Sequence, residues 1–249
     1  MLELYQLAIS HYCEKARWAL DHKQLEWRPR TMLPGLHVKP AMKLSGQSSL
    51  PILVDDGQAI HGSSRILDHL DDRYPDRSLT PGEPELRRQA LDWERFADER
   101  LGDDVRRICY HELLARPDVV IPLIAAGGPW YGRFLLRRIF PQLERRMRRY
   151  MRIDATETAR SSERLAAAVR ELAQALSGRE YLVGDRFTRA DLAVSALLAP
   201  FVMPDGYGVP WPHELPPALA AEAERHADVL GWVRGIYARH RPLRAPRSS

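Results

Sequence analysis

Ser10 and Cys13 stand three residues apart in the stretch Ser10-His11-Tyr12-Cys13-Glu14-Lys15. A hydroxyl at the first turn of a helix meets backbone N–H groups that have no partner inside the helix. That end of a helix also attracts anions. A thiolate brought there is stabilised by the dipole and by the Ser10 hydroxyl together. Cys13 offers a different chemistry, because a thiol in a first helical turn can itself become acidic and reactive. The plainer reading makes Ser10 an N-cap and nothing more.

All three readings need a strand that turns into a helix at Ser10. Residues 2–8 alternate well enough to be that strand. After Ser10, Ala16, Ala19 and Leu20 keep helical spacing, and no Gly or Pro interrupts. A second strand is expected at Leu25–Arg28, followed by an irregular surface loop over Leu33–Pro40 that carries His37 and Lys39. Loops of this kind often hold ligand contacts. Ser49-Leu50-Pro51-Ile52-Leu53-Val54 then reads as a strand, Asp55-Asp56-Gly57 as a hairpin turn, and Gln58–Ile60 as the partner strand. Pro51 is either an edge residue or a cis-proline. Gly62-Ser63-Ser64 breaks that strand and opens a helix from Arg65 to Tyr74. Ser63 is therefore a second hydroxyl at a second helix N-terminus. Two such termini beside one sheet edge make a site for a peptide-sized anion, which tilts Ser10 from cap to function.

The composition sets bounds on the rest. The chain has 249 residues, 45% of them hydrophobic, enough for one large or two ordinary domains with a sizeable core. No apolar run reaches the roughly 20 residues of a membrane span, and no charged segment leads into an apolar one as in a secretory signal. Two cysteines, Cys13 and Cys109, lack metal or framework spacing and suit a reducing cytoplasm. No metal-ligating cluster is visible, and no nucleic-acid-binding motif frames the net charge of +4.

Beyond a Pro- and Gly-punctuated segment near residues 74–82, the pattern becomes helical. A long helix is expected from Glu83 to Arg116, stopped by Pro117. A second runs from Trp130 to Ile153 and is kinked or split by Pro141. This second helix carries Arg133, Arg137, Arg138, Arg145, Arg146, Arg148, Arg149 and Arg152. The arginines read as a solvated helix face, a nucleic-acid or membrane patch, or a contact for an anionic second substrate. Thr158–Leu176 and Leu215–Arg239 are further helices, and the basic tail 241–249 should fray. Thr188 and Asp191 have capping-box spacing and are assigned to folding. The aromatic loop 201–212 is either a simple crossing or a wall of a substrate pocket.

Three stretches together resemble the cytosolic glutathione S-transferases: Ser10-x-x-Cys13-x-Lys15-x-Arg17-x-Ala19-Leu20, the Leu50–Gly57 run, and Ile60-x-Gly62-Ser63-x-x-Ile66-x-x-x-Leu70. The Tyr181–Leu192 stretch resembles the family's C-terminal mark. The resemblance implies a thioredoxin-like N-terminal domain over 1–79, a linker over 80–88, and an all-helical C-terminal domain over 89–249. It implies glutathione as co-substrate, a homodimer, and a cytoplasmic protein that conjugates glutathione to a small electrophile in detoxification.

In that family the residue at Ser10 activates the glutathione thiol. Pro51 is cis, Leu50 pairs its backbone with the cysteinyl part, and Ser63 binds the γ-glutamyl carboxylate. Gly62, Ser64, His37 and Lys39 are the remaining expected glutathione contacts. His11, Tyr110, Trp130 and Tyr131 are the expected second-substrate pocket. Gln6 stands where other classes use a catalytic tyrosine, and Tyr5 should face the opposite side of the sheet. Two positions depart from the pattern: Gly62 replaces an acidic or amide residue, and Ser49 replaces a Lys or Gln. The alternatives are a thiol–disulfide oxidoreductase or peroxidase working through Cys13, and a non-catalytic ligand-binding protein of the same fold. The family's redox members carry their cysteine at the Ser10 position, and Cys13 has no resolving partner.

Overall fold

Leu2, Leu4 and Gln6 of β1 (Leu2–Gln6) turn into the core, while Glu3 and Tyr5 lie on the other face. The computed structural model describes residues 1–241. β1 pairs in parallel with β2 (Trp27–Thr31) after the crossover helix α1 (His11–His22). It pairs antiparallel with β3 (Ile52–Asp55), which turns back as β4 (Gln58–His61), so the sheet order is β2-β1-β3-β4. β2 begins later than expected and contains Pro29, which an edge strand tolerates.

The expected loop over Leu33–Pro40 is only half a loop. α2 (Val38–Ser45) takes its second part, with Pro40 in the first turn, where no backbone N–H is needed. α3 (Ser63–Arg73) opens two residues earlier than expected, directly after Gly62.

The helical half also departs from the simple pattern. The long helix is α4 (Pro84–Ala97), a π-turn (Asp98–Gly102) and α5 (Asp103–Leu113) in continuous succession. Pro117 opens a further helix, α6 (Pro117–Ala125), because a proline is well placed at a first helical position. α7 (Gly132–Met151) runs through Pro141 without being split. α8 (Ala155–Ala175) begins earlier than expected because the Asp154 carboxylate accepts from Glu157 N at 2.8 Å. α9 (Arg189–Val202) is buried along nearly its whole length and packs against α1 and α4. The last expected helix is two, α10 (Pro217–Glu224) and α11 (Ala227–His240), separated at Arg225 and His226. Of the basic tail, Arg241 is buried, and residues 242–249 lie outside the described residues. No helix among the described residues is long and apolar enough to cross a membrane.

α1 lies between α3 and the helical half. Trp18 of α1 is fully buried, its ring 4.3 Å from that of Tyr237 and its Nε1 donating to the His240 carbonyl at 3.0 Å. The two halves thus share one core.

Candidate functional site

Ser10 sits in extended geometry (φ −71°, ψ 122°) immediately before α1, and its Oγ accepts from Cys13 N at 3.3 Å. The hydroxyl lone pairs serve the helix, so the hydroxyl proton is left to donate outward. The turn that carries it is fixed from behind. Arg17 donates to the Ala8 carbonyl at 3.1 Å and Tyr207 to the Ile9 carbonyl at 2.7 Å. Arg17 is held in turn by Glu14 at 2.8 Å and Gln6 at 2.9 Å, and Glu14 by Arg241 at 2.7 Å. Gln6 is therefore part of the scaffold that aims the turn.

Ser10 opens onto a cleft of about 1300 Å³ between the sheet domain and the helical half. Of the expected glutathione contacts, His37, Lys39 and Leu50 line this cleft. His37 caps the Leu33 turn, its Nδ1 accepting from Gly35 N at 3.2 Å. The Leu50–Pro51 bond is cis, and Gly62 N donates to the Pro51 carbonyl at 3.0 Å, which sets the turn before Ser63 beside this loop. Gly62 has φ +92°, a conformation only glycine holds without strain, so the departure there follows from backbone geometry. Ser63 is buried in the first turn of α3.

Ser64 is committed elsewhere. Its hydroxyl accepts from Lys15 Nζ at 2.9 Å and donates to Asp98 at 2.6 Å. Pro51, Gly62, Ser63 and Ser64 are not lining residues of the cleft.

Lys15 is itself fully buried and pairs with Glu94 at 2.7 Å and Asp98 at 2.9 Å. Arg189 meets Glu94 at 2.5 Å and Asp68 at 2.7 Å from the other side. Burial pushes the Glu94 carboxyl up, but Lys15 and Arg189 outweigh it and hold the group below its usual range. This cluster ties α1 and α3 to α4 and α9, and so holds the two sides of the cleft in register.

Of the residues expected in a second-substrate pocket, His11 and Tyr110 line the cleft, whereas Trp130 and Tyr131 do not. Trp130 is 94% exposed. The reason is local: a Cβ on Gly128 or on Gly132 would come to 3.1 Å of Leu33 Cδ2, so backbone fills the space next to Leu33 and Trp130 is left outside. Other side chains take the wall: Tyr150 and Met147 of α7, Met203 and Trp211 of the aromatic loop, and Arg106 of α5. Trp211 was legible as part of the turn-rich aromatic loop. Arg106 carried no sequence signal, since helical spacing alone does not reveal which neighbour a face meets.

Burial holds His11, Tyr110 and Cys13 neutral. Burial, with the Arg106 charge beside it, lowers the His11 pKa to about 3. Burial pushes the Tyr110 phenol up to about 12. Cys13 is fully buried, absent from the cleft's lining, and its thiol is pushed up by burial.

The comparisons with known proteins agree with this geometry. Residues 4–78 match the family model for the glutathione S-transferase N-terminal domain, and residues 133–221 match that for the C-terminal domain. No curated protein matches the sequence. Among solved structures, the β-etherase LigF from Sphingobium sp. strain SYK-6 is 21% identical with a TM-score of 0.70, over 96% of this chain and 95% of that one. A glutathione S-transferase from Methylobacterium radiotolerans, in complex with glutathione sulfonate, is also 21% identical, with a TM-score of 0.65 over 100% of this chain and 98% of that one. Glutathione transferase F7 from Populus trichocarpa is 16% identical with a TM-score of 0.66, covering 96% and 94% of the two chains. With both halves of the fold and both domain models in agreement, the chain belongs to the glutathione S-transferase family, whose co-substrate is glutathione.

Proposed function

We propose that the protein conjugates glutathione to small electrophiles, with Ser10 as the residue that activates the thiol. The observation that carries this reading is the Ser10 hydroxyl: it opens onto the cleft, its lone pairs are used by Cys13 N, and its proton faces no acceptor among the described residues. Donated to the glutathione sulfur, that proton stabilises the thiolate, and the N-terminus of α1 adds its partial positive charge. The sulfur lone pair then attacks the electrophilic carbon. A C–S bond forms, the leaving group departs with its electron pair, and the thiol proton passes to solvent. The glycyl end of glutathione would extend toward His37 and Lys39, the cysteinyl backbone would pair with Leu50, and the γ-glutamyl end would reach Ser63.

Nothing favours the redox reading, since Cys13 is sealed in the core as a free thiol with a raised pKa. The similarity to a β-etherase means that phenolate as well as halide belongs among the leaving groups to try.

The test is calorimetric titration with glutathione, followed by turnover with 1-chloro-2,4-dinitrobenzene and an aryl ether. Binding with turnover of either acceptor supports the reading. Absence of binding, or binding with no turnover of any acceptor, overturns it in favour of a ligand-binding protein. We also propose a homodimer, the usual two-fold assembly of the family. Light scattering should give twice the 28.5 kDa chain mass, and a concentration-independent single-chain mass overturns it.

A further inference from the structure

The cleft is charged with one sign only. Among the described residues that line it are Lys39, Arg106, Arg146 and Arg149, and no Asp or Glu. Lys39 lies on the sheet-domain side, by the expected glycyl end of glutathione, so three arginines remain for whatever sits beside the sulfur.

Two of them, Arg146 and Arg149, are not equivalent to the other five arginines of α7. Arg148 is spent on Glu144 at 2.9 Å, and Arg145 folds back on the Pro141 carbonyl at 3.2 Å. Arg146 and Arg149 have no ion-pair partner among the described residues. With Gln142 they fall at i, i+4 and i+7, one stripe along the cleft side of α7, beside Leu143 and Met147. Arg106 gives one nitrogen to Asp103 at 2.7 Å and makes no other hydrogen bond among the described residues. It stands close enough to His11 and Tyr110 for its charge to bear on both. The buried Nε2 of His11 has no partner among the described residues, so the wall beside Arg106 also holds an unmet polar group. Most of the remaining lining is apolar, Leu113, Leu123, Ile139, Leu215 and Leu219 among it, with Ser10, His37, Ser48 and Ser49 as polar members. An apolar chamber whose cationic rim is only partly neutralised, Arg106 by Asp103 and Arg146 and Arg149 by no carboxylate among the described residues, is complementary to an apolar body bearing one anionic group.

We propose that the second substrate is an amphipathic anion, an aryl or alkyl electrophile that carries a carboxylate, with the acidic group held by Arg106 and Arg146 and the apolar body against α5 and α7. The proposal rests on reading the cleft as the second-substrate site. It gives the arginine-rich helix a specific task, and it predicts that charge rather than shape does the selecting.

The experiment is a binding comparison that needs neither glutathione nor turnover. Biphenyl-4-carboxylate and biphenyl-4-methanol, matched in shape, are titrated by calorimetry at low and high salt. The carboxylate should bind at least about fivefold tighter at low salt, the scale of one or two solvent-accessible ion pairs, and lose that advantage at high salt. Arg146→Gln, at an exposed position that leaves the fold intact, should bring the two ligands toward equal affinity, and Arg106→Gln should do the same. Equal or tighter binding of the alcohol overturns the proposal, as does a carboxylate preference that survives in both variants or no binding of either ligand. A failure of glutathione to bind would sink the transferase reading while leaving this comparison decisive for the cleft's preference.

Discussion

The Tyr12 phenol donates to the main-chain carbonyl of Asp98 at 3.1 Å, and a β-carbon at Gly102 would lie 2.0 Å from that same phenol oxygen. The π-turn at Asp98–Gly102 therefore does two things: it frees a carbonyl for Tyr12, and it presents a glycine where the ring must lie. Tyr12 lines the cleft next to Ser10 and His11, so the turn seats this wall of the cleft against the head of α1. Gly102→Ala should displace the ring and cost about 1 to 3 kcal/mol, the scale of overpacking a filled site. Adding Tyr12→Leu to Gly102→Ala should recover part of that loss in urea unfolding. If the double variant is no more stable than Gly102→Ala alone, the clash is not what makes the glycine necessary.

Ser10→Ala should lose roughly 1 to 3 kcal/mol of transition-state stabilisation, about 5- to 150-fold in kcat/KM, the worth of a hydrogen bond to a charged group. Glutathione affinity should change far less, because Ser10 would touch only the sulfur. Cys13→Ala should keep turnover close to that of the parent protein. Activity that survives the serine change and dies with the cysteine change would transfer the chemistry to Cys13.

Glu94 is pinned between Lys15 and Arg189, all three buried. Removing one member of such a group strands charge without a partner and typically costs about 3 to 5 kcal/mol. Glu94→Ala should lower the unfolding free energy obtained from urea denaturation by that amount. It should also raise proteolysis at the junction between α3 and α4, because the cluster joins the two halves. Replacing all of Lys15, Glu94 and Arg189 by apolar residues of similar size should be milder than the single change, and a harsher outcome would mean the cluster is net stabilising.

The pH dependence follows from His11. Its pKa is lowered from 6.5 to about 3, so between those values the unfolded chain takes up a proton that the folded one refuses. His11 therefore costs stability as pH falls below about 6.5, and contributes no such loss above it. Asp191 acts in the opposite sense, since burial raises its pKa from 3.8 to about 6 and the folded chain takes up that proton first. The two partly cancel in the parent protein, so the difference between variants is the quantity to measure. Going from pH 7 to 4.5, the stability of the parent relative to His11→Gln should fall by about 2 kcal/mol. A flat difference across that range would show that His11 is not held neutral.

Thr188→Ala should cost on the order of 1 to 2 kcal/mol through loss of the capping box, in which Asp191 also accepts from Thr188 N at 2.8 Å. Far-ultraviolet dichroism during thermal unfolding would register this as a lower midpoint with unchanged helix content. An unaltered midpoint would assign the start of α9 to its burial alone.

What the sequence by itself determined is whatever rests on local spacing and turn chemistry. Ser10 before an uninterrupted helical pattern, Asp56-Gly57 between two apolar runs, and Thr188 three residues before Asp191 each specify a structure through neighbours a few bonds away. The fold class follows, because those signals occur in an order that few architectures satisfy. Proline, in contrast, is only half legible by its general rule: the helix before Pro117 does end, at Leu113, but α7 is not split at Pro141. Pro117 also opens the next helix, where it loses no backbone bond, and Pro141 rides inside α7, where packing outweighs the bond lost.

The site itself was decided only by tertiary structure. Lys15, Glu94 and Arg189 are ordinary surface-type residues in sequence, and only the docking of α1 between α3 and α9 buries and pairs them. Trp130 carries the aromatic character of a pocket residue yet faces solvent, because the glycines around it let the backbone close on Leu33. Arg106, without any sequence signal, reaches the cleft because the π-turn and Tyr12 set how α5 meets the sheet domain. Periodicity says that a helix has a face; which face meets the substrate depends on how distant helices pack, and that is a property of the whole chain.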